Sequence, residues 1–205
     1  MPDPTKRGTR AALFMIGVGV GAFSTTLAHA LWYAPELEVP QPAAAAAAPS
    51  RALTPGDEPA RLAIPSLGID ASVQKLGINA EGAMAAPSDF SEVGWYEYGA
   101  VPGYTGTAVI AGHLDNGIGL DGVFKHLDQL AVGDTIIVEA ANGTKIDFIV
   151  SSIHSYPYAS VPDTSLFATT GPPRLALITC SGSLLYAQHT YDRRLVVIAA
   201  LQQPS

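Results

Sequence analysis

From Ala11 to Pro35 the chain carries no Lys, Arg, Asp or Glu, and this run includes Leu13, Phe14, Met15, Ile16, Val18, Val20, Phe23, Leu27, Leu31 and Trp32. At about 1.5 Å per residue, roughly twenty residues of helix cross the hydrocarbon layer of a membrane, so the run is long enough to span one. Lys6, Arg7 and Arg10 precede it, and Trp32 and Tyr33 fall where an outer aromatic belt would lie. Basic residues before a span favour keeping the N-terminus in the cytoplasm, which sends everything after the span outside. The pattern predicts a cytoplasmic segment 1–10 and a single-pass signal anchor 11–34. Ala28-His29-Ala30 also fits a small-x-small cleavage site, so a cleaved signal peptide is the alternative, with the same export. The next stretch, 35–60, is Pro- and Ala-rich, with Pro40, Pro42, alanines 43–48, Pro49, Pro55 and Pro59. It cannot bury enough surface to offset the entropy of ordering and reads as an extended tether. Folding is left to 61–203, a length typical of one domain.

Composition narrows what that domain can do. The 205 residues hold 11 Lys+Arg against 18 Asp+Glu, a formal net charge of −7, and three of the basic residues are spent before the apolar run. No basic stripe is left to displace counterions from a polyphosphate, which argues against nucleic-acid binding. The single cysteine, Cys180, excludes an internal disulfide framework and any Cys-rich metal or cluster site. No cofactor is expected, and no metal: His113 and Asp115 lack a third ligand at suitable spacing, and Asp115, Asp121 and Asp128 read as solvated surface acids.

Short β-branched and aliphatic runs separated by Gly, Pro, Asn and Asp predict a β-rich domain: Leu62–Ile64, Thr107–Ala111, Thr135–Ala140, Lys145–Ile153, Leu175–Thr179 and Leu195–Leu201. Asn142-Gly143 signals a hairpin, because both residues tolerate the positive φ of a tight turn. Connections of this kind suggest a small closed barrel, with short helical segments near Val123–Leu130 and Asp163–Ala168.

Three places could carry chemistry. Cys180 follows Leu175-Ala176-Leu177-Ile178-Thr179 and precedes Ser181-Gly182, at a predicted strand end. A free cysteine is usually a small buried hydrophobe, but an unpaired thiol in an oxidising compartment is a liability unless it is used. His113 ends Ala108-Val109-Ile110-Ala111-Gly112-His113, again just past an apolar strand; alone it would read as a surface or a hydrogen-bonded residue. Arg193-Arg194 stand before the last apolar strand, where an arginine pair is ordinarily a solvated edge device but beside a thiol and an imidazole could hold an oxyanion.

Taken together these segments resemble the sortases, the membrane-anchored cysteine transpeptidases of Gram-positive cell envelopes. The resemblance covers about 61–201. It is carried by Arg61-Leu62-Ala63-Ile64-Pro65-Ser66-Leu67-Gly68-Ile69-Asp70 on a first strand, Val93-Gly94-Trp95-Tyr96, Pro102-Gly103, and Gly106-Thr107-Ala108-Val109-Ile110-Ala111-Gly112-His113. Val123-Phe124, Val132-Gly133-Asp134, Tyr156-Pro157, Leu177-Ile178-Thr179-Cys180 and a basic residue on the last strand follow in order. His-Leu-Asp after the glycine and the Asn-Gly hairpin look most like class F, with class E second. Ser181-Gly182 and Arg193-Arg194 depart from the Gly-Gly and Asp-Asn frequent in class F.

The resemblance implies an eight-stranded sortase-like β-barrel with one or two short helices after the transmembrane helix, and a catalytic domain at 61–203. It implies Cys180 and His113 as the catalytic pair. The catalytic arginine is Arg194 by register with the aliphatic run and Arg193 by counting from Cys180; neighbours on a strand face opposite ways, and Arg194 is preferred. Thr179, Tyr156 and Val161 would contact substrate, the last two in a groove wall formed by 155–173. The implied reaction cleaves a Leu-Pro-x-Thr-Gly-like sorting motif near the C-terminus of a surface protein through a thioester. The new carboxyl end then joins an amine acceptor, a cell-wall precursor or a pilin lysine. An exported cysteine peptidase would use the same Cys and His, and an anchored barrel could instead be a silent binding module.

Overall fold

The computed structural model describes residues 37–38, 56–116 and 120–202. The expected span 11–34 and most of the tether lie outside them, and among the described residues no helix is long and apolar enough to cross a membrane. Eight strands form a closed barrel: β1 (Pro59–Ile64), β2 (Ile69–Leu76), β3 (Val93–Tyr96), β4 (Thr107–Gly112), β5 (Thr135–Ala140), β6 (Lys145–Pro157), β7 (Arg174–Leu185) and β8 (Thr190–Leu201). Their order around the barrel is β8-β6-β5-β1-β2-β3-β4-β7. Two neighbour pairs are parallel, β2 with β3 and β4 with β7, and the others are antiparallel. The short strand Leu37–Glu38 pairs with Ala83–Met84 outside the barrel.

Alternation along the strands gives two apolar layers. Leu62, Trp95, Ile110, Ile136, Phe148, Leu177 and Val197 belong to one cluster fed by all eight strands, which is the barrel interior. Val109, Ala111, Ala176, Ile178 and Val196 belong to a second cluster on the outer wall of β4, β7 and β8. That outer wall is covered by Leu166, Val161, Phe167, Met84 and Tyr96. A face with cover on both sides explains why β4 is buried at every position and reads as a continuous apolar run.

Several local expectations are corrected. The predicted first strand through Asp70 breaks into two, because Pro65–Leu67 forms a 3-10 turn closed by Gly68 at φ 64°. The Asn142-Gly143 turn places only the glycine at positive φ, 83°. Gly143 N–H donates to the Ala140 carbonyl at 2.8 Å and Ala140 N–H to the Thr144 carbonyl at 2.9 Å, so the turn is wider than a two-residue loop. The helix expected over Val123–Leu130 shrinks to a 3-10 turn at Leu127–Gln129. Its first amides are spent elsewhere: Val123 N–H donates to the Phe90 carbonyl and Phe124 N–H to the His113 carbonyl. The other expected helix is present as α1 (Asp163–Leu166).

Candidate active site

Cys180 lies within β7, five residues before its end, and Arg194 lies within β8; both were expected at strand boundaries. The hairpin extends further because its pairing runs out to Thr190 opposite Leu185. Arg194 is directly opposite Cys180 in this ladder, and directly opposed residues point to the same face of a sheet. On the other side of β7, β4 pairs in parallel, with Ala111 opposite Ile178 as the last matched residues. Continuing that register by two residues sets His113 level with Cys180. Thiol and guanidinium thus come from paired positions of β7 and β8, and the imidazole from the first residue past the end of the neighbouring β4. They follow the outer-wall residues Ala111, Ile178 and Val196 rather than those of the interior.

All three groups are shielded, with 5% of Cys180, 3% of His113 and none of Arg194 exposed. Burial pushes the Cys180 thiol up to about 11, against the pull of the Arg194 charge and of the Tyr191 backbone amide. Burial likewise pulls His113 below the ordinary imidazole value, opposed by the Pro87 carbonyl, Asp115 and Asp89. Arg194 is pulled down by burial, while Cys180 and Tyr158 favour its charge. Its Nη1 donates to the carbonyls of Tyr191 and Arg193, both at 3.0 Å, and its Nη2 to Thr190 Oγ1 at 2.8 Å. The Tyr158 ring lies 4.6 Å from the guanidinium carbon, within cation–π range. Arg194 Nε and His113 Nδ1 are buried with no partner among the described residues.

Arg193 faces the other way. It donates from Nε to Ser155 Oγ at 2.7 Å and from Nη2 to the Ser155 carbonyl at 2.6 Å, and its ladder partner is Ser181. Tyr156 is opposite Arg194 across the β6–β8 ladder, and with Val161 it packs on the outer-wall cluster. Thr179 alternates with Cys180, so its buried side chain is turned to the interior side and only its backbone runs beside the thiol.

The groups that hold these residues carry no motif in the sequence. Tyr191 donates its hydroxyl to Asp115 Oδ2 at 2.6 Å, tying the segment after His113 to the start of β8. Lys125 faces both Asp115, at 3.6 Å, and Asp121, at 3.5 Å, and among the described residues no three acidic, His or Cys side chains form a metal cluster. Gly122 passes so close to His113 that a Cβ there would stand 2.3 Å from the His113 carbonyl oxygen. Only the Tyr191–Asp115 bond, 76 residues apart, joins distant parts of the chain; the others fold the segment 113–125 back on itself.

A small closed barrel with a buried thiol paired to a buried guanidinium, and a buried imidazole just past the end of the adjoining strand, defines a narrow class of proteins. A Sortase domain family model matches residues 62–202, and the chain belongs to the sortase family. Among solved structures, the chain is similar to sortase C1 of Streptococcus agalactiae in its complex with MTSET, at 23% identity and a TM-score of 0.54, covering 71% of this chain and 67% of that one. It is similar to sortase C-1 of Streptococcus pneumoniae at 21% identity and a TM-score of 0.55, with coverages of 71% and 67%. Sortase C-1 of Actinomyces oris gives 22% identity and a TM-score of 0.54, with coverages of 70% and 73%. Curated proteins give no significant match. At these identities the structural likeness carries the fold.

Proposed function

We propose that the protein is a cysteine transpeptidase of class F type, held at the outer face of the cell membrane by a span at 11–34, with 35–60 as tether. On this reading it cleaves a Leu-Pro-x-Thr-Gly-like sorting motif and joins the new carboxyl end to an envelope amine. The observation that carries the reading is the pairing of Arg194 opposite Cys180, with His113 buried just past the end of the strand that pairs β7 on its other side. Membership of the sortase family supports it.

The chemistry follows from the residue types. The thiolate of Cys180 attacks the scissile carbonyl, and the oxygen takes up negative charge that needs a fixed donor in a dry site. Arg194 meets that need: its Nη atoms are occupied by backbone and Thr190, which leaves Nε–H as the donor without a partner. His113 as imidazolium gives its proton to the departing amine, leaving a thioester on Cys180. An incoming amine then attacks the thioester carbonyl, His113 takes the proton it loses, and Cys180 leaves as the thiolate, which restores the starting thiolate–imidazolium pair. Tyr156, Val161 and the backbone of Thr179 line the approach.

The purified chain, incubated with a sorting-motif peptide and excess triglycine, should yield the triglycine adduct by mass spectrometry, and Cys180→Ala should yield none. Free acid as the sole product with every amine tried would replace transpeptidation by hydrolysis, the peptidase reading.

The shielded pair also sets the pH dependence. With His113 below its ordinary value of 6.5 and Cys180 near 11, the pair between those limits holds one proton on sulfur. The reactive thiolate–imidazolium form is its minor tautomer, with the same proton count. Productive protonation is therefore lost only when His113 gains a proton at low pH or Cys180 loses one at high pH. A plot of kcat/KM against pH should be flat from about 7 to about 10, whereas an ordinary thiol would end the plateau near 8.5. A decline beginning near 8.5 would contradict this account of the shielding.

A further inference from the structure

The imidazole of His113 has its two nitrogens in different settings. Nε2 lies 2.8 Å from the Pro87 carbonyl oxygen, and Nδ1 is buried with no partner among the described residues. A carbonyl oxygen only accepts, so Nε2 carries the hydrogen in the neutral ring and Nδ1 presents its lone pair. Pro87 holds this position because its loop is clamped. Gln74, on β2, accepts at Oε1 from the Ser88 amide and the Ser88 hydroxyl, both at 3.1 Å, and donates from Nε2 to Glu92. One side-chain amide thus bridges both ends of the turn 88–92. Within the turn, Asp89 Oδ1 accepts from the Ser91 amide and hydroxyl at 2.7 Å, and the Phe90 ring lies 4.3 Å from the imidazole.

We infer that Gln74 is a positioning residue: through Ser88 and Glu92 it fixes the Pro87 carbonyl against His113 Nε2, and this makes Nδ1 the atom that exchanges the proton with the reacting groups. Gln74 itself touches neither substrate nor thiol. Its effect is on the tautomer and aim of the ring, and misplacing a reacting group by about 1 Å costs up to about a hundredfold in rate. The inference rests on the proposed role of His113 for its kinetic part, and on geometry alone for the tautomer.

The test uses the full chain, labelled with nitrogen-15 and kept in detergent micelles, with the His113 ring signals assigned from the His113→Gln spectrum. Long-range proton–nitrogen correlation at neutral pH should show the Nε2–H tautomer. Gln74→Leu should introduce the second tautomer and lower kcat by about tenfold to a hundredfold, with KM within about twofold of its starting value. Should that variant fail to fold, Ser88→Ala deletes one of the bonds to Gln74 and should lower kcat in the same direction. An Nδ1–H ring in the unsubstituted protein overturns the inference. So does a Gln74→Leu variant that leaves tautomer and kcat unchanged or changes KM alone. A chain with no transpeptidation but with Nε2–H intact overturns the proposed function and leaves the tautomer assignment standing.

Discussion

Replacing Arg194 by lysine is expected to lower kcat/KM by about a hundredfold to a thousandfold, the range seen when a fixed oxyanion donor is removed. Charge is conserved in this substitution, and geometry is what it takes away. The guanidinium spends Nη1 on two backbone carbonyls and Nη2 on Thr190, lies against the Tyr158 ring, and keeps Nε in reserve. An ammonium on a flexible stem cannot hold those acceptors and also aim a donor beside Cys180. Single-turnover kinetics with a sorting peptide, read as thioester on Cys180, would isolate the first chemical step. A loss confined to that step fits the assignment, and a rate within tenfold of the parent would mean that Arg194 contributes charge alone. Arg193→Lys, on the opposite side of the strand, should change the rate by less than about threefold, since its bonds go to Ser155.

Gly122→Ala should be the most damaging single-methyl change near the site. The added carbon would stand 2.3 Å from the His113 carbonyl oxygen, 2.6 Å from its carbonyl carbon and 2.8 Å from its Cβ. These are contacts that real side chains do not make, and the obstacle is backbone, which cannot rotate away. The His113 carbonyl is further held by the Phe124 amide at 2.9 Å, and Gly122 N–H donates to the Leu114 carbonyl at 2.9 Å. Relief therefore requires the imidazole-bearing segment to move. Overpacking of this kind costs about 3 kcal/mol, or about 6–12 °C in Tm for a domain of this size. Activity should fall further than stability explains, because the displaced element carries His113, the acid of the proposed mechanism. Calorimetry together with kcat well below the melting transition measures both, and a variant with unchanged Tm and kcat would show that the approach is looser than described.

How much of this was legible in the chain depends on the range of the interactions. Thr135–Ala140 has the bounds its sequence predicts, because a β-branched and aliphatic run between Gly133-Asp134 and Asn142-Gly143 is a local pattern. Two barrel strands were missed. Val93–Tyr96 is short, buried at every position and interrupted by Gly94, where a Cβ would meet Leu76 at 2.1 Å; a close approach by a distant leucine is invisible locally. Ile69–Leu76 was partly absorbed into its neighbour, since the Pro65–Leu67 turn separates two strands of similar composition. The segments bearing Cys180, His113 and Arg194 stood out by residue type and order, and it took the ladder register to place Arg194 rather than Arg193 opposite the sulfur. Gln74, Pro87, Gly122 and Tyr191 carry no sequence signature, because each acts on the site through a tertiary contact made by a turn or a strand pairing.

The alternation along β7 has one consequence for how such a protein can change. Leu175 and Leu177 fill the barrel, while Ala176, Ile178 and Cys180 look outward, so durability and reactivity are spelled in alternate letters of a single word. Exchanges at one set of letters leave the other legible. Inserting or deleting one letter before Cys180 would transpose the two meanings, turning the sulfur into packing and putting the hydroxyl of Thr179 or Ser181 in its place.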